Sequence, residues 1–236
     1  MRGAILIPML ALGACSMGEA GESKSQPGSR DFQVGAFDKI SLLGSPNVIV
    51  TVGGAPSVRA EGDSKRLEAL EVKVENGILK IGYKKGNWSF GRREHGPVTV
   101  HVSAPSLTGA EVAGSGDMKI DKVEGGDFAG EIAGSGEIQL AALRARNASF
   151  AIAGSGGVTA NGTAETAEFD IAGSGDIRAG GLQVKRAKVS IAGSGNVETK
   201  ATESANVDIM GSGDVLVTGG AKCSVNKMGS GDVRCG

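Results

Sequence analysis

With 236 residues and 40% apolar side chains, the chain has enough material to bury a core, which excludes wholesale disorder. Its 25 basic and 26 acidic residues nearly cancel, so no long-range field steers it toward nucleic acid, and no nucleic-acid partner is expected. Glycine supplies 40 residues without a three-residue period and aromatics only 3%, which excludes collagen and predicts many turns around a core of small side chains.

The chain opens with Met1 and Arg2, an apolar stretch from Ala4 to Leu12, and small residues before Cys15, the layout of an export signal. The stretch is too short to cross a bilayer as a helix. Leu12-Gly13-Ala14-Cys15 resembles the lipobox of bacterial lipoproteins. That resemblance implies a mature chain beginning at an acylated Cys15 and held on a membrane; a plain signal peptide cut nearby is the alternative. Ser16, in place of Asp, implies by the same resemblance the outer membrane rather than the inner one. Residues 16–30 are mostly Gly, Ser, Glu, Lys and Pro and read as a flexible tether. The expected divisions are therefore a signal peptide at 1–15, a tether at 16–30 and a folded body at 31–236, lipid-anchored in the bacterial cell envelope.

Residues 31–106 are strand-rich but irregular. Val48 to Val52, Val72 to Glu75, Ile78 to Ile81 and Val98 to Val102 are β-type runs, and Asn76-Gly77 predicts a two-residue hairpin turn between two of them. Asp63 to Leu70 has the composition of a turn of helix. Tyr83, Trp88 and Phe90 cluster among Lys84, Lys85, Arg92 and Arg93, the one stretch nominated for ligand contact; packing of those aromatics on the body is the alternative.

From residue 107 the chain repeats. Gly-Ser-Gly occurs seven times, starting at Gly114, Gly134, Gly154, Gly173, Gly193, Gly211 and Gly229, at steps of 20, 20, 19, 20, 18 and 18 residues. Two before the first glycine stand Val112, Ile132, Ile152, Ile171, Ile191, Ile209 and then Lys227; four after it stand Met118, Ile138, Val158, Ile177, Val197, Val215 and Val233. Apolar residues also recur four before and six after, so both flanks alternate with period two and each presents one apolar face. Units that cannot bury their own face must stack. The expected fold is all-β, a right-handed parallel β-helix or β-solenoid with about 18–20 residues per coil and ladders of Val and Ile inside. The rival is an antiparallel hairpin turning at each tripeptide, which would tolerate more variable spacing. Stacking also predicts a column of corner serines that hydrogen-bond from coil to coil.

In the last coil, Lys227 replaces the inward isoleucine, which predicts an end that nothing covers. Cys223 and Cys235 occupy inward sites six before and six after that tripeptide, where earlier coils place pairs such as Ala205 with Val217. In an oxidising compartment they are candidates for a disulfide, with two buried thiols as the alternative.

Phe37-Asp38-Lys39-Ile40, Asn76-Gly77 with Leu79 and Ile81, the Val98 to Val102 strand leading to Pro105 and Leu107, and the Gly-Ser-Gly-Asp units together resemble the bacterial "putative auto-transporter adhesin, head GIN domain" family over residues 31–236. The resemblance implies a β-solenoid envelope protein and brings no active-site residues with it.

Catalytic signatures are absent from the sequence. The repeated serine has glycine on both sides rather than a nucleophile elbow, and no base neighbours it. Two histidines, His95 and His101, stand six apart with no cysteine pair, so no metal is expected. The column three after the corner glycine is acidic (Asp117, Glu137, Asp176, Asp214 and Asp232), broken by Gly157 and Asn196, and the column three before it reads Glu111, Glu131, Ala151, Asp170, Ser190, Asp208 and Asn226. Solvated turn residues are the favoured reading there and calcium bridging the lesser one. The expectation is a protein without cofactor or catalysis, with a structural, adhesive or envelope-binding role toward polysaccharide or protein; a glycan-binding or glycan-active β-helix is the alternative.

Overall fold

The computed structural model describes residues 26–84 and 96–236. Cys15, Trp88, Phe90 and His95 lie outside these described residues, as do the signal segment and most of the tether.

The first strands are β1 (Pro27–Phe32), β2 (Lys39–Gly44), β3 (Asn47–Val52) and β4 (Ser57–Asp63). Helix α1 (Ser64–Ala69) follows, then β5 (Leu70–Glu75), β6 (Ile78–Tyr83) and β7 (Thr99–Ala104). Strand β1 starts at Pro27, so the final residues assigned to the tether are already paired, antiparallel to β4. The expected helical turn forms because Asp63 Oδ1 accepts the Arg66 N–H at 3.1 Å and so caps α1, whose Leu67 and Ala69 are buried. The hairpin β5–β6 turns at Asn76-Gly77, both with positive φ (53° and 78°), the conformation that makes Asn-Gly the preferred pair there.

The repeats supply β8 (Gly109–Gly114), β9 (Met118–Ile120), β10 (Val123–Glu124) and β11 (Asp127–Gly134). Four long strands come next, one per coil: β12 (Glu137–Gly154), β13 (Gly157–Gly173), β14 (Asp176–Gly193) and β15 (Asn196–Gly211). The chain ends with β16 (Val215–Thr218), β17 (Lys222–Gly229) and β18 (Val233–Cys235). All pairings among β8 to β18 are parallel, and corner glycine lies over corner glycine: Gly114, Gly134, Gly154, Gly173, Gly193, Gly211 and Gly229 form one column. The hairpin alternative is thereby excluded. The molecule is a β-solenoid of about six turns.

The corner is built from glycine because two coils touch there through their backbones. The first glycine of each tripeptide has φ between 132° and 140°, and a Cβ on it would run into the carbonyl oxygen of the glycine one coil earlier. Unequal steps between tripeptides are absorbed elsewhere. Register shifts fall between Leu140 and Leu143, Thr159 and Asn161, Ala179 and Gln183, and Val184 and Arg186, all in the stretch of each coil that follows the corner and its first inward residue.

Ladders of inward side chains fill the coils. Val112, Ile132, Ile152, Ile171, Ile191 and Ile209 are all buried, each contributing about 1.5–3 kcal/mol by removal from water. Phe150 and Phe169 stack in successive coils with centroids 5.9 Å apart and planes 10° apart, while Phe128 meets Phe150 at 6.0 Å and 54°. One coil exchanges its large and small sites: Phe128 and Gly130 stand where the next coil has Ala148 and Phe150.

The coil before Gly114 was hidden in the sequence. Gly44 pairs with Gly114, and its carbonyl accepts the Ser115 and Gly116 N–H groups at 2.9 and 3.0 Å, so Gly44-Ser45-Pro46 is an eighth corner. Its flanks obey the same frame, with Ile40 and Leu42 before it and Val48 and Val50 after it, all buried. A further layer, β6 on β2 and β7 on β3, lies beyond, and the antiparallel β5, β4 and β1 with α1 close this end. Strands β1 to β7 thus share one continuous sheet with the repeats.

Candidate functional site

The acidic column three after the corner is structural. Short side chains in it accept the backbone N–H of the next coil: Asn47 from Asp117 at 3.4 Å, Asp117 from Glu137 at 3.1 Å, Asp176 from Asn196 at 3.3 Å, Asn196 from Asp214 at 3.1 Å, and Asp214 from Asp232 at 2.8 Å. At the Gly157 gap the backbone takes over, with Gly157 N donating to Gly136 O at 3.1 Å and Asp176 N to Gly156 O at 3.2 Å. Asp214 and Asp232 are exposed, as solvated turn residues are, and Asp117, Asp176 and Asp214 in addition each satisfy an amide of the next coil, while Glu137 accepts the Thr159 hydroxyl at 3.4 Å. Among the described residues no group of three or more His, Cys, Asp or Glu gathers to hold a metal.

The corner serines are exposed, from Ser115 to Ser230. The coil-to-coil bond belongs to their backbone, each serine N–H donating to the corner glycine of the preceding coil at 2.9–3.0 Å. The expected hydroxyl ladder is replaced by this amide ladder, because the tight glycine turn aims the N–H along the stack. His101 is exposed on β7.

Outside the core, two troughs stand out among those on the described surface of the solenoid. The first runs across β8 to β15 on the wall that precedes each corner, with a volume of about 530 Å3. Its floor is the column one before the glycine, where Ala133, Ala153, Ala172 and Ala192 are exposed and Met210 is 61% exposed. Its rim is the column three before, with Glu111, Glu131, Asp170 and Asp208 and no Lys or Arg in the lining. Leu43 and Met228, also exposed, continue the apolar column at its two ends. The acidic rim belongs to the stripe read from the sequence, whereas the apolar floor was missed, although its signal was present: alanine recurs at an outward position where alternation calls for a polar residue.

The second trough, of about 1040 Å3, is polar. Asn147 Nδ2 donates to Asp127 Oδ1 at 2.8 Å and Thr166 Oγ1 to Asn147 Oδ1 at 2.7 Å, while Lys188 pairs with Glu168 at 2.6 Å.

Of the nominated aromatic patch, only Tyr83 is among the described residues. It is half-buried against the core with the Arg66 guanidinium 5.6 Å from its ring, and burial raises its hydroxyl pKa. At the other end, Cys223 and Cys235 form a disulfide across the last coil. Lys227 is exposed there, its ammonium donating to the Gly231 carbonyl at 2.6 Å over the uncovered core.

A solenoid whose corner residues hold the coils together, and whose outer columns are exposed, is a scaffold that presents side chains in rows along its length. Residues 36–221 match the family described as "Putative auto-transporter adhesin, head GIN domain", and the chain belongs to that family. Among solved structures it is similar to a "putative adhesin" from Bacteroides fragilis, with 24% identity, a TM-score of 0.80, and coverage of 89% of this chain and 97% of that one. A "putative lipid binding protein" from Parabacteroides distasonis is 26% identical, with a TM-score of 0.72 and coverage of 92% and 98%. A "putative adhesin" from Parabacteroides merdae is 18% identical, with a TM-score of 0.68 and coverage of 92% and 98%. No curated protein matches the sequence.

Proposed function

We propose that the chain is a non-enzymatic adhesive module of the bacterial envelope, lipid-anchored through Cys15 in the outer membrane and binding along the outer columns of its solenoid. The observation that carries this reading is the division of labour in each coil: corner serines and acids sit on backbone-locked turns, while the outward columns form continuous troughs across several coils. Membership in an adhesin-head family supports the same reading. Because these columns move as one with the sheet, many weak contacts along the trough add up without an ordering cost for each.

Glycan binding is the second reading, favoured by the polar trough with its row of Asp127, Asn147 and Thr166. Lipid binding, after the name of one similar structure, has less support here, because the apolar trough is rimmed by carboxylates that an anionic lipid surface would repel. Pull-down of the whole chain on purified peptidoglycan, envelope polysaccharides and intact cells, with turnover assayed in parallel, tests the proposal. Binding without cleavage is expected; bond cleavage, or retention by none of these, overturns it.

A further inference from the structure

The apolar trough differs from the rest of the outer surface. Other outward columns mix both signs, as with Lys188 on Glu168 and Arg178 on Asp176, whereas this one joins an alanine and methionine floor to four carboxylates with no cation in its lining. Its complement is a basic segment with apolar side chains. The chain itself contains one: Lys84 and Lys85, then Trp88 and Phe90, then Arg92 and Arg93. We propose that this segment of one copy docks in the apolar trough of a second copy, so that the protein adheres to itself; this rests on the adhesive reading above and names its partner.

Reach argues for a second copy rather than the same one. The chain leaves β6 at Tyr83 and re-enters β7 at Thr99, so it can extend only by about half of the 15 intervening residues, roughly 25 Å at about 3.3 Å per residue. From β6 the ladder passes through β2, β8, β11, β12, β13 and β14 before β15, seven steps at about 4.8 Å, or roughly 34 Å to Asp208 and Met210. A chain's own segment falls short of that end of the trough. Joining one end of a molecule to the side of the next is a heterologous contact, and repetition extends it into open chains of molecules.

Trp88 is the only tryptophan, so its emission reports the contact directly. The whole chain is diluted while its weight-average mass is followed by sedimentation and Trp88 emission by fluorescence. Mass and blue shift are expected to rise together with concentration and to fall with added salt. Two charge-reversed variants, Asp170→Lys with Asp208→Lys, and Arg92→Glu with Arg93→Glu, are each expected to lose at least about tenfold in self-association, equivalent to about 1.4 kcal/mol. Mixing the two variants restores association, because each trough then meets the opposite charge. Asp170 and Asp208 lie on the outside of the coils, and unchanged far-ultraviolet circular dichroism controls for folding in both variants. A monomer at every concentration, a Trp88 emission independent of concentration, or variants that associate like the parent would overturn the inference. Retention on polysaccharide or cells by a strictly monomeric chain would leave the adhesive reading standing without it, and cleavage of those ligands would end both.

Discussion

Gly130 offers a test of whether the coils are packed as interlocking layers. It lies on β11 without the left-handed φ of the corner glycines, so alanine meets no backbone strain there. A new Cβ would stand 2.9 Å from Phe150 Cδ1, 3.3 Å from Cε1 and 3.6 Å from Phe128 Cε1. The Phe150 ring has no room to retreat, because Phe169 stacks on its far side. Overpacking of this kind costs about 1–3 kcal/mol, whereas glycine to alanine at an unstrained site otherwise gains about 0.4–1 kcal/mol through the unfolded chain. Gly130→Ala is therefore expected to destabilise by about 1–2 kcal/mol in the parent. In a Phe150→Leu background, where the ring edge is gone, it is expected to become neutral or stabilising, a coupling of about 1–3 kcal/mol. Urea unfolding followed by circular dichroism gives the four corners of this cycle. Hydrogen exchange of β11 and β12 amides supplies a local reading in case the solenoid melts in sections. Equal costs of Gly130→Ala in both backgrounds would refute the packing argument.

Other sites yield sharper signs. Thr199 is fully buried and its hydroxyl has no hydrogen-bond partner, so Thr199→Val is expected to raise stability by about 1–2 kcal/mol, read as a higher urea midpoint; a loss would mean the hydroxyl is satisfied. At Gly173, with φ 136° and the Gly154 carbonyl beneath it, alanine adds a backbone clash to roughly 1–3 kcal/mol of conformational strain. Solubility and midpoint should both fall, and a parent-like Gly173→Ala would show that the corner can open. The Glu75 carboxyl is held down at about 2 by hydrogen bonds from Lys80 and then Lys73. Being depressed in the folded state, it contributes stability above the ordinary carboxylate range and loses it as pH falls through about 2. Lys80→Met should move the Glu75 titration upward by carbon-13 NMR; an unchanged midpoint would remove Lys80 as the cause.

Much of this architecture was legible in the residues. The inward ladders could be read because period-two alternation recurs in a frame of about twenty residues, and each coil repeats the test. Asn76-Gly77 was legible because few other pairs accept two left-handed residues in succession. Gly44 escaped because its tripeptide ends in Pro46 and lies 70 residues before Gly114, with β4 to β7 intervening. The role of the acids was not legible for a different reason. A carboxylate beside a glycine turn suits a metal, water or an amide equally well, and only the coil geometry puts the next N–H within 3 Å or so of Asp214. The alanine floor was readable in principle, but reading it required treating small apolar side chains on an outward parity as a surface rather than as filler.

The uneven coil lengths have a consequence for how such a molecule changes over time. Glycine corners fix one seam of the rod atom against atom, yet the stretch that follows them in each coil absorbs losses and gains of one to three residues while the inward columns stay aligned. Insertions and deletions are thus channelled to a single edge. Foreign peptide grafted there should leave both troughs undisturbed, and whole coils could be added or lost like links without redesigning either end.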